Sequence, residues 1–189
     1  MHNTTTFDRL MASFAGVLLA ATALAGLLAP AAAHAEAPAG LQKYAGNYKY
    51  ANTRDHGVAI VEKALDEALA DLNMVMKLLV KKTMSSRFSE TVAIEVAGSD
   101  VGIKLGENDK ATAKIGETKD VKSKDGKQSG KLTHQFDGSK LTESLTGENG
   151  TIVNVFQLSA DGKTLQRDVT VTSQRMKKPL KYRLIYTRK

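Results

Sequence analysis

The chain has 189 residues, a formal net charge of +7, and neither cysteine nor tryptophan. No disulfide and no lipid-bearing N-terminal cysteine can form, and His56 and His134, the only histidines beyond residue 35, disfavour a zinc site of the usual His/Cys kind. No G-x-S-x-G element occurs, and residues 126–132 fail as a phosphate loop, being one residue short between the glycines and lacking Ser or Thr after Lys131.

The first ten residues are polar with one cation, Arg9, and an apolar run from Met11 to Leu28 follows. Ala33-His34-Ala35 has the A-x-A form of a signal-peptidase site. This pattern predicts a cleavable signal peptide over 1–35, cut after Ala35, and export to the periplasm or the medium. An uncleaved membrane anchor is the competing reading, since the run approaches spanning length, and the cleavage site decides against it. Residues 36–189 are then one domain, long enough for a sizeable core.

Leu41 to Tyr50 reads as a first strand with Tyr44, Gly46, Tyr48 and Tyr50 on one face. The period then becomes helical over 58–82, where Ile60, Ala64, Ala68, Leu72, Val75 and Leu79 make an apolar stripe and Asp55 is the expected N-cap. Residues 74–80 are almost wholly apolar, which reads as a plug against the barrel end, with a mobile lid over 74–82 as the alternative.

From Arg87 onward the chain alternates apolar and polar residues between turn signals. Asp125-Gly126, Asp137-Gly138, Asn149-Gly150 and Asp161-Gly162 recur at equal intervals, and such pairs favour tight hairpin turns. The expected fold is mainly β: an antiparallel up-and-down barrel of about ten strands, with the helical segment inserted after the first and packed across one open end. Closure removes the exposed edges that so long a meander would leave.

If each pair is a two-residue turn, His134 faces Leu141, Glu143 faces Phe156, and Phe156 faces Arg167. One face then carries Leu132, Phe136, Leu141, Leu145, Ile152, Phe156, Leu158, Leu165, Val169 and Val171, which is plainly the inside. His134, Glu143, Asn154 and Arg167 share that face, whereas Gln166, Asp168 and Thr170 point out. Burying an unpaired ion costs several kcal/mol, so these groups must meet one another, water or a ligand. One reading is a Glu143–Arg167 pair with no further role. The other is a polar anchor in an apolar cavity, Arg167 gripping a carboxylate with hydroxyls from Tyr182 and Tyr186.

The layout of strand, helical segment and about nine antiparallel strands resembles the calycin barrels, in particular the intracellular fatty-acid-binding proteins. Residues 158–165 (Leu-Ser-Ala-Asp-Gly-Lys-Thr-Leu), Val169-Thr170-Val171-Thr172 and the ending Tyr182-Arg183-Leu184-Ile185-Tyr186 resemble the tail of exported bacterial lipocalin-like domains. The resemblance implies a binding protein for a fatty acid or similar hydrophobic molecule, without a cofactor. Two departures are visible: Gly46-Asn47-Tyr48 has tyrosine where lipocalins carry tryptophan, and Arg183 and Tyr186 are three apart, so they cannot form the family's Arg-x-Tyr carboxylate anchor.

Three functional classes follow. The first is a carrier with the tail of an amphipathic acid along Leu132, Phe156, Val169 and Leu184. The second is an envelope-associated scaffold whose cations, at 77–87, 110–131 and 175–189, meet an anionic membrane or envelope surface; nucleic acid is not an expected partner. Those cations are also the ordinary solubilising surface of exposed strands. The third is an enzyme with His134 and Glu143 as acid and base, disfavoured by the absence of a nucleophile, metal or cofactor motif.

Overall fold

The computed structural model describes residues 37–72, 88–122, 129–174 and 176–189. Ten strands form one antiparallel sheet: β1 (Gly46–Tyr50), β2 (Thr91–Ala97), β3 (Asp100–Leu105), β4 (Ala111–Lys114), β5 (Thr118–Lys122), β6 (Ser129–Phe136), β7 (Lys140–Gly147), β8 (Gly150–Leu158), β9 (Thr164–Ser173) and β10 (Leu180–Arg188). Their order is β4-β3-β2-β1-β10-β9-β8-β7-β6-β5, a meander joined end to end by the β1–β10 pairing of Tyr50 with Tyr186.

The remaining edges, β4 and β5, meet at a seam. Ile115 bridges His134 of β6 in parallel, the Gly116 N–H donates to the His134 carbonyl at 2.8 Å, and the Lys119 ammonium donates to the Thr112 carbonyl at 3.1 Å. The barrel is therefore nearly closed, and among the described residues one α-helix, α1 (Arg54–Ala68), follows the first strand.

The start of the domain departs from the sequence pattern. Leu41–Tyr44 is a 3-10 turn, not strand, because Gly40 enters it at φ +90°, a conformation that glycine adopts without strain. Tyr44 is thereby turned inward, where its hydroxyl donates to the Ser139 carbonyl and receives the Leu158 N–H at 3.3 Å. The helix begins before residue 58, and its cap is Thr53, whose hydroxyl accepts the His56 N–H at 3.4 Å. Asp55 lies one step inside, in the first turn, where a carboxylate favours the helix dipole without capping it. The buried stripe runs through Gly57, Val61, Ala64, Leu65 and Ala68, and Ile60 is only partly covered. The helix ends at Ala68 with Leu69 as its C-cap, and residues 69–72 are turn and bend where the apolar stripe had predicted helix through Leu72. Residues 73–82, with the lid or plug at 74–82, and the leader at 1–35 lie outside the described residues.

Two apolar clusters fill the interior. One end gathers Leu41, Tyr44, Tyr48, Tyr50, Ile94, Ile103, Leu141, Phe156, Leu165, Leu184 and Tyr186. At the other, Val61, Ala64, Leu65, Ala68 and Leu69 pack on Val169, Val171 and Leu180, which places α1 across the inward ends of β9 and β10. Close approach of the helix needs Gly57: a Cβ there would lie 2.1 Å from the Phe88 ring.

Register decides which polar groups meet. At Asp161-Gly162 Leu158 faces Leu165, as the two-residue count requires. At Asp137-Gly138 the last inward pair is Phe136–Leu141: the Asp137 carboxylate takes the Ser139 and Lys140 N–H groups at 2.8 and 2.7 Å, the Asp137 N–H meets the Lys140 carbonyl at 3.3 Å, and the turn moves on to Gly138 and Ser139. At the next turn Gly147 pairs with Gly150, so Glu148 and Asn149 form the turn and Gly150 belongs to the strand. A Cβ on Gly150 would lie 2.1 Å from the Thr172 carbonyl oxygen, which explains a glycine there without any turn. Each slip is of two residues, so the inside stays inside while the partners change.

Candidate functional site

The inward residues of β6–β10 form rungs around the barrel wall. Phe136, Leu141, Phe156, Arg167 and Leu184 are one rung; His134, Glu143, Asn154, Val169 and Tyr182 are the next. The expected pairs His134–Leu141 and Glu143–Phe156 are replaced by His134–Glu143 and Glu143–Asn154, while Phe156–Arg167 is as expected. Glu143 and Arg167 thus lie on different rungs, and the anticipated direct ion pair between them does not form.

Asn154 joins them instead. Arg167 donates to Asn154 Oδ1 from Nε at 3.0 Å and from Nη2 at 2.8 Å. Since guanidinium has donors only, this fixes the amide orientation, and Asn154 Nδ2 donates to Glu143 Oε1 at 2.8 Å. Glu143 Oε2 lies 3.2 Å from His134 Nε2, and His134 Nδ1 lies 3.4 Å from the Ala113 carbonyl oxygen across the seam. The result is a chain of contacts from β4 to β9 inside the wall. His134, Asn154, Arg167 and Glu143 are 0, 3, 4 and 6% exposed, so water screens none of it well.

Arg167 is the unbalanced member. Burial opposes its charge, and the Tyr186 and Tyr182 phenols with the Glu143 carboxylate outweigh that, leaving the guanidinium pKa above its ordinary value. It is a permanent cation, yet among the described residues it forms no ion pair, and its Nη1 has no hydrogen-bond partner. The Tyr186 hydroxyl gives its own hydrogen to the Ser89 carbonyl at 2.9 Å and favours the guanidinium charge with its oxygen, although no well-aligned hydrogen bond to Nη1 forms. Tyr182, half-buried, shares the second rung with Val169.

All seven residues singled out from the sequence, Arg167, Glu143, His134, Asn154, Phe156, Tyr182 and Tyr186, point into the barrel. Phe156 and Tyr186 are wholly buried apolar neighbours of the chain. On the outer face, Arg183 meets Asp168 with Nε 2.6 Å from Oδ1, so Arg183 and Tyr186 do lie on opposite sides. Sequence reasoning missed the Ala113 and Ser89 carbonyls, backbone groups with no side-chain signature.

The tail path is not an open channel. Leu132, Phe156, Val169 and Leu184 are 1, 0, 2 and 1% exposed, which leaves no room for a water molecule against them. Among the described residues no three His, Asp or Glu side chains converge as metal ligands.

The fold and site define a nearly closed ten-stranded barrel with a polar chain buried in one wall. No protein-family model and no curated protein matches the chain. Solved structures do. A fatty-acid-binding protein from brain tissue of Drosophila melanogaster is 18% identical, over 76% of this chain and 98% of its own, with a TM-score of 0.46. A Schistosoma mansoni fatty acid binding protein in complex with arachidonic acid is 18% identical over 78% of this chain and 96% of its own, TM-score 0.45. Lipid binding protein 8 of Caenorhabditis elegans is 15% identical over 79% and 97%, TM-score 0.49. The case for a function rests on the residues of this chain.

Proposed function

We propose that the protein binds the anionic head of an amphipathic acid, of the fatty-acid or related lipid type, at Arg167. The observation that carries this reading is the buried guanidinium without a carboxylate against it and with Nη1 unpartnered among the described residues. A cation that cannot shed its proton is costly to bury, and an anion on the Nη1 side would offset that cost. Asn154 holds the opposite edge, Nε and Nη2, and so aims Nη1. The Tyr186 and Tyr182 phenols favour the guanidinium charge, while the Tyr186 hydrogen stays with the Ser89 carbonyl. The tail would lie along Leu132, Phe156, Val169 and Leu184, whose tight packing means that these side chains must separate to admit it. Export belongs to the same reading and is supported by the leader pattern over 1–35. Sequencing the N-terminus of the secreted protein tests it: a start at Glu36 supports export with cleavage, and retention of Met1 in the cytoplasm contradicts it.

The binding test is a double variant. Arg167→Met alone removes both donors from Asn154 Oδ1 and the positive charge near Glu143, which confuses stability with affinity, so Arg167→Met with Glu143→Gln is the cleaner choice. A charge-assisted hydrogen bond contributes about 1.5–3 kcal/mol, so affinity for a long-chain acid should fall by roughly one to two orders of magnitude. Affinity for the methyl ester should change little. Equal losses for acid and ester remove the anchor.

The closed packing of the tail wall favours a second reading, a filled barrel serving as a basic scaffold at an anionic envelope surface. Binding of neither acid nor ester by the parent protein, with retention on anionic vesicles, selects it.

A further inference from the structure

The contacts around His134 have a place for one proton more than a neutral imidazole beside an ionised carboxylate carries. Nδ1 faces the Ala113 carbonyl oxygen at 3.4 Å and Nε2 faces Glu143 Oε2 at 3.2 Å. A carbonyl and a carboxylate only accept, and a neutral imidazole has one N–H. One ring nitrogen would then turn its lone pair on an oxygen, at a residue 0% exposed. Glu143 cannot turn away, because Oε1 is occupied by Asn154 and the amide is locked by Arg167. One added proton removes the conflict, either as imidazolium and carboxylate or as imidazole and carboxylic acid.

The charge of the interior follows. With that proton the His134–Glu143 pair is neutral and Arg167 leaves the wall at one positive charge; without it the pair cancels Arg167. Among the described residues, other charged and titratable neighbours do not alter the count. From β10 the neighbours are the Tyr182 and Tyr186 phenols. On the β5 side of the seam Glu117 and Lys119 are exposed, and the Lys119 ammonium is held by the Thr112 carbonyl. β1 contributes Tyr48 and Tyr50, β2–β4 turn apolar side chains inward, and the buried face of α1 is apolar. His56 is exposed and bonded to the Tyr50 hydroxyl at 3.0 Å.

The geometry points to proton-coupled anion binding: the His134–Glu143 pair holds one shared proton, and an anion on Arg167 is bound together with it. The inference rests on Arg167 as the anion anchor. Anion and proton together leave the wall neutral, whereas an anion without the proton leaves it at one negative charge. Affinity is therefore highest on the acid side and falls as pH rises through the titration of the pair.

Dodecyl sulfonate, kept below its micellar concentration, is the suitable probe because its own charge does not titrate. Its binding to the full chain is measured by calorimetry from about pH 5 to about pH 8, in buffers of differing ionisation enthalpy. We expect at least a ~10-fold weakening across that range and uptake of up to about one proton per anion bound. Glu143→Gln keeps every bond without the proton, since its amide donates to His134 Nε2 and its oxygen accepts from Asn154. The affinity ratio between the two ends of the range should collapse to about one in that variant, and proton uptake should vanish. Nitrogen-15 spectra of His134 in the ligand-free protein report the shared proton directly. Sulfonate binding that is flat in pH, pH dependence that survives in Glu143→Gln, or a ring with one plain N–H throughout each overturns the coupling while leaving the anchor standing. No sulfonate binding at any pH removes the anchor and the coupling with it.

Discussion

The two walls of the barrel share one ladder of backbone hydrogen bonds and differ in what they turn inward. β1–β4 are strands of four to seven residues and bury Tyr48, Val92, Ile94, Val101, Ile103 and Ala113. β6–β10 are strands of eight to ten residues and bury His134, Glu143, Asn154 and Arg167 among their apolar residues. A polar chain crossing four strands needs each partner on the adjoining strand at a fixed rung, and only long, regularly paired strands supply that. On the apolar wall a mismatch would lose some burial; on the polar wall it would strand an ion. The second wall is specified by pairing and the first by packing.

Truncation compares the walls most strongly. Phe156→Ala on the polar wall should cost about 3–5 kcal/mol, and Ile103→Ala on the apolar wall about 2–5 kcal/mol, measured by denaturant unfolding. A Phe156 loss well below that of Ile103 would show the polar wall to be loosely packed. Gly57→Ala, which drives a methyl group into the Phe88 ring, should destabilise by about 1–3 kcal/mol, and Phe88→Leu in the same chain should relieve part of it. Thr53→Ala should cost about 1 kcal/mol, whereas Asp55→Ala should cost less, which separates the true cap from the neighbouring acid.

The smallest effect concerns the β6–β7 hairpin. The Ser139 and Lys140 N–H groups and the Ser139 hydroxyl hold the Asp137 carboxyl below its ordinary pKa. A folded-state pKa below the unfolded one adds stability that is present above the unfolded value and lost as pH falls through the folded one. Asp137→Ala should therefore lower stability slightly near neutral pH and lose the corresponding slope in acid. An acid slope unchanged in the variant would assign it to other carboxylates.

Strand number, helix position and the inward face could be read from the sequence because alternation fixes parity and closure follows from length. The partners across β6–β8 could not, because alternation does not say which two residues form each turn. Asp137 binds the backbone ahead of it and moves its turn on by one residue, and Gly150 is a strand residue in close approach to Thr172, although each sits in a good turn pair. Those slips of two residues kept His134, Glu143, Asn154 and Arg167 inside but broke the expected Glu143–Arg167 row. Asn154, expected among the inward site residues, is the link between the charges. The seam carbonyl of Ala113 lies beyond any periodicity argument, since β4 meets β6 only after the barrel has closed.

The claim that matters most is that an anion sits against Arg167. A long-chain acid labelled with carbon-13 at its carboxyl group, bound to the protein with nitrogen-15-labelled arginine, tests it most directly. The account predicts a close carboxyl-to-guanidinium contact at Arg167 in the parent protein and its disappearance in the Arg167→Met, Glu143→Gln variant. A carboxyl signal that contacts surface cations such as Lys177 or Arg183 instead, or is unchanged in that variant, would contradict it.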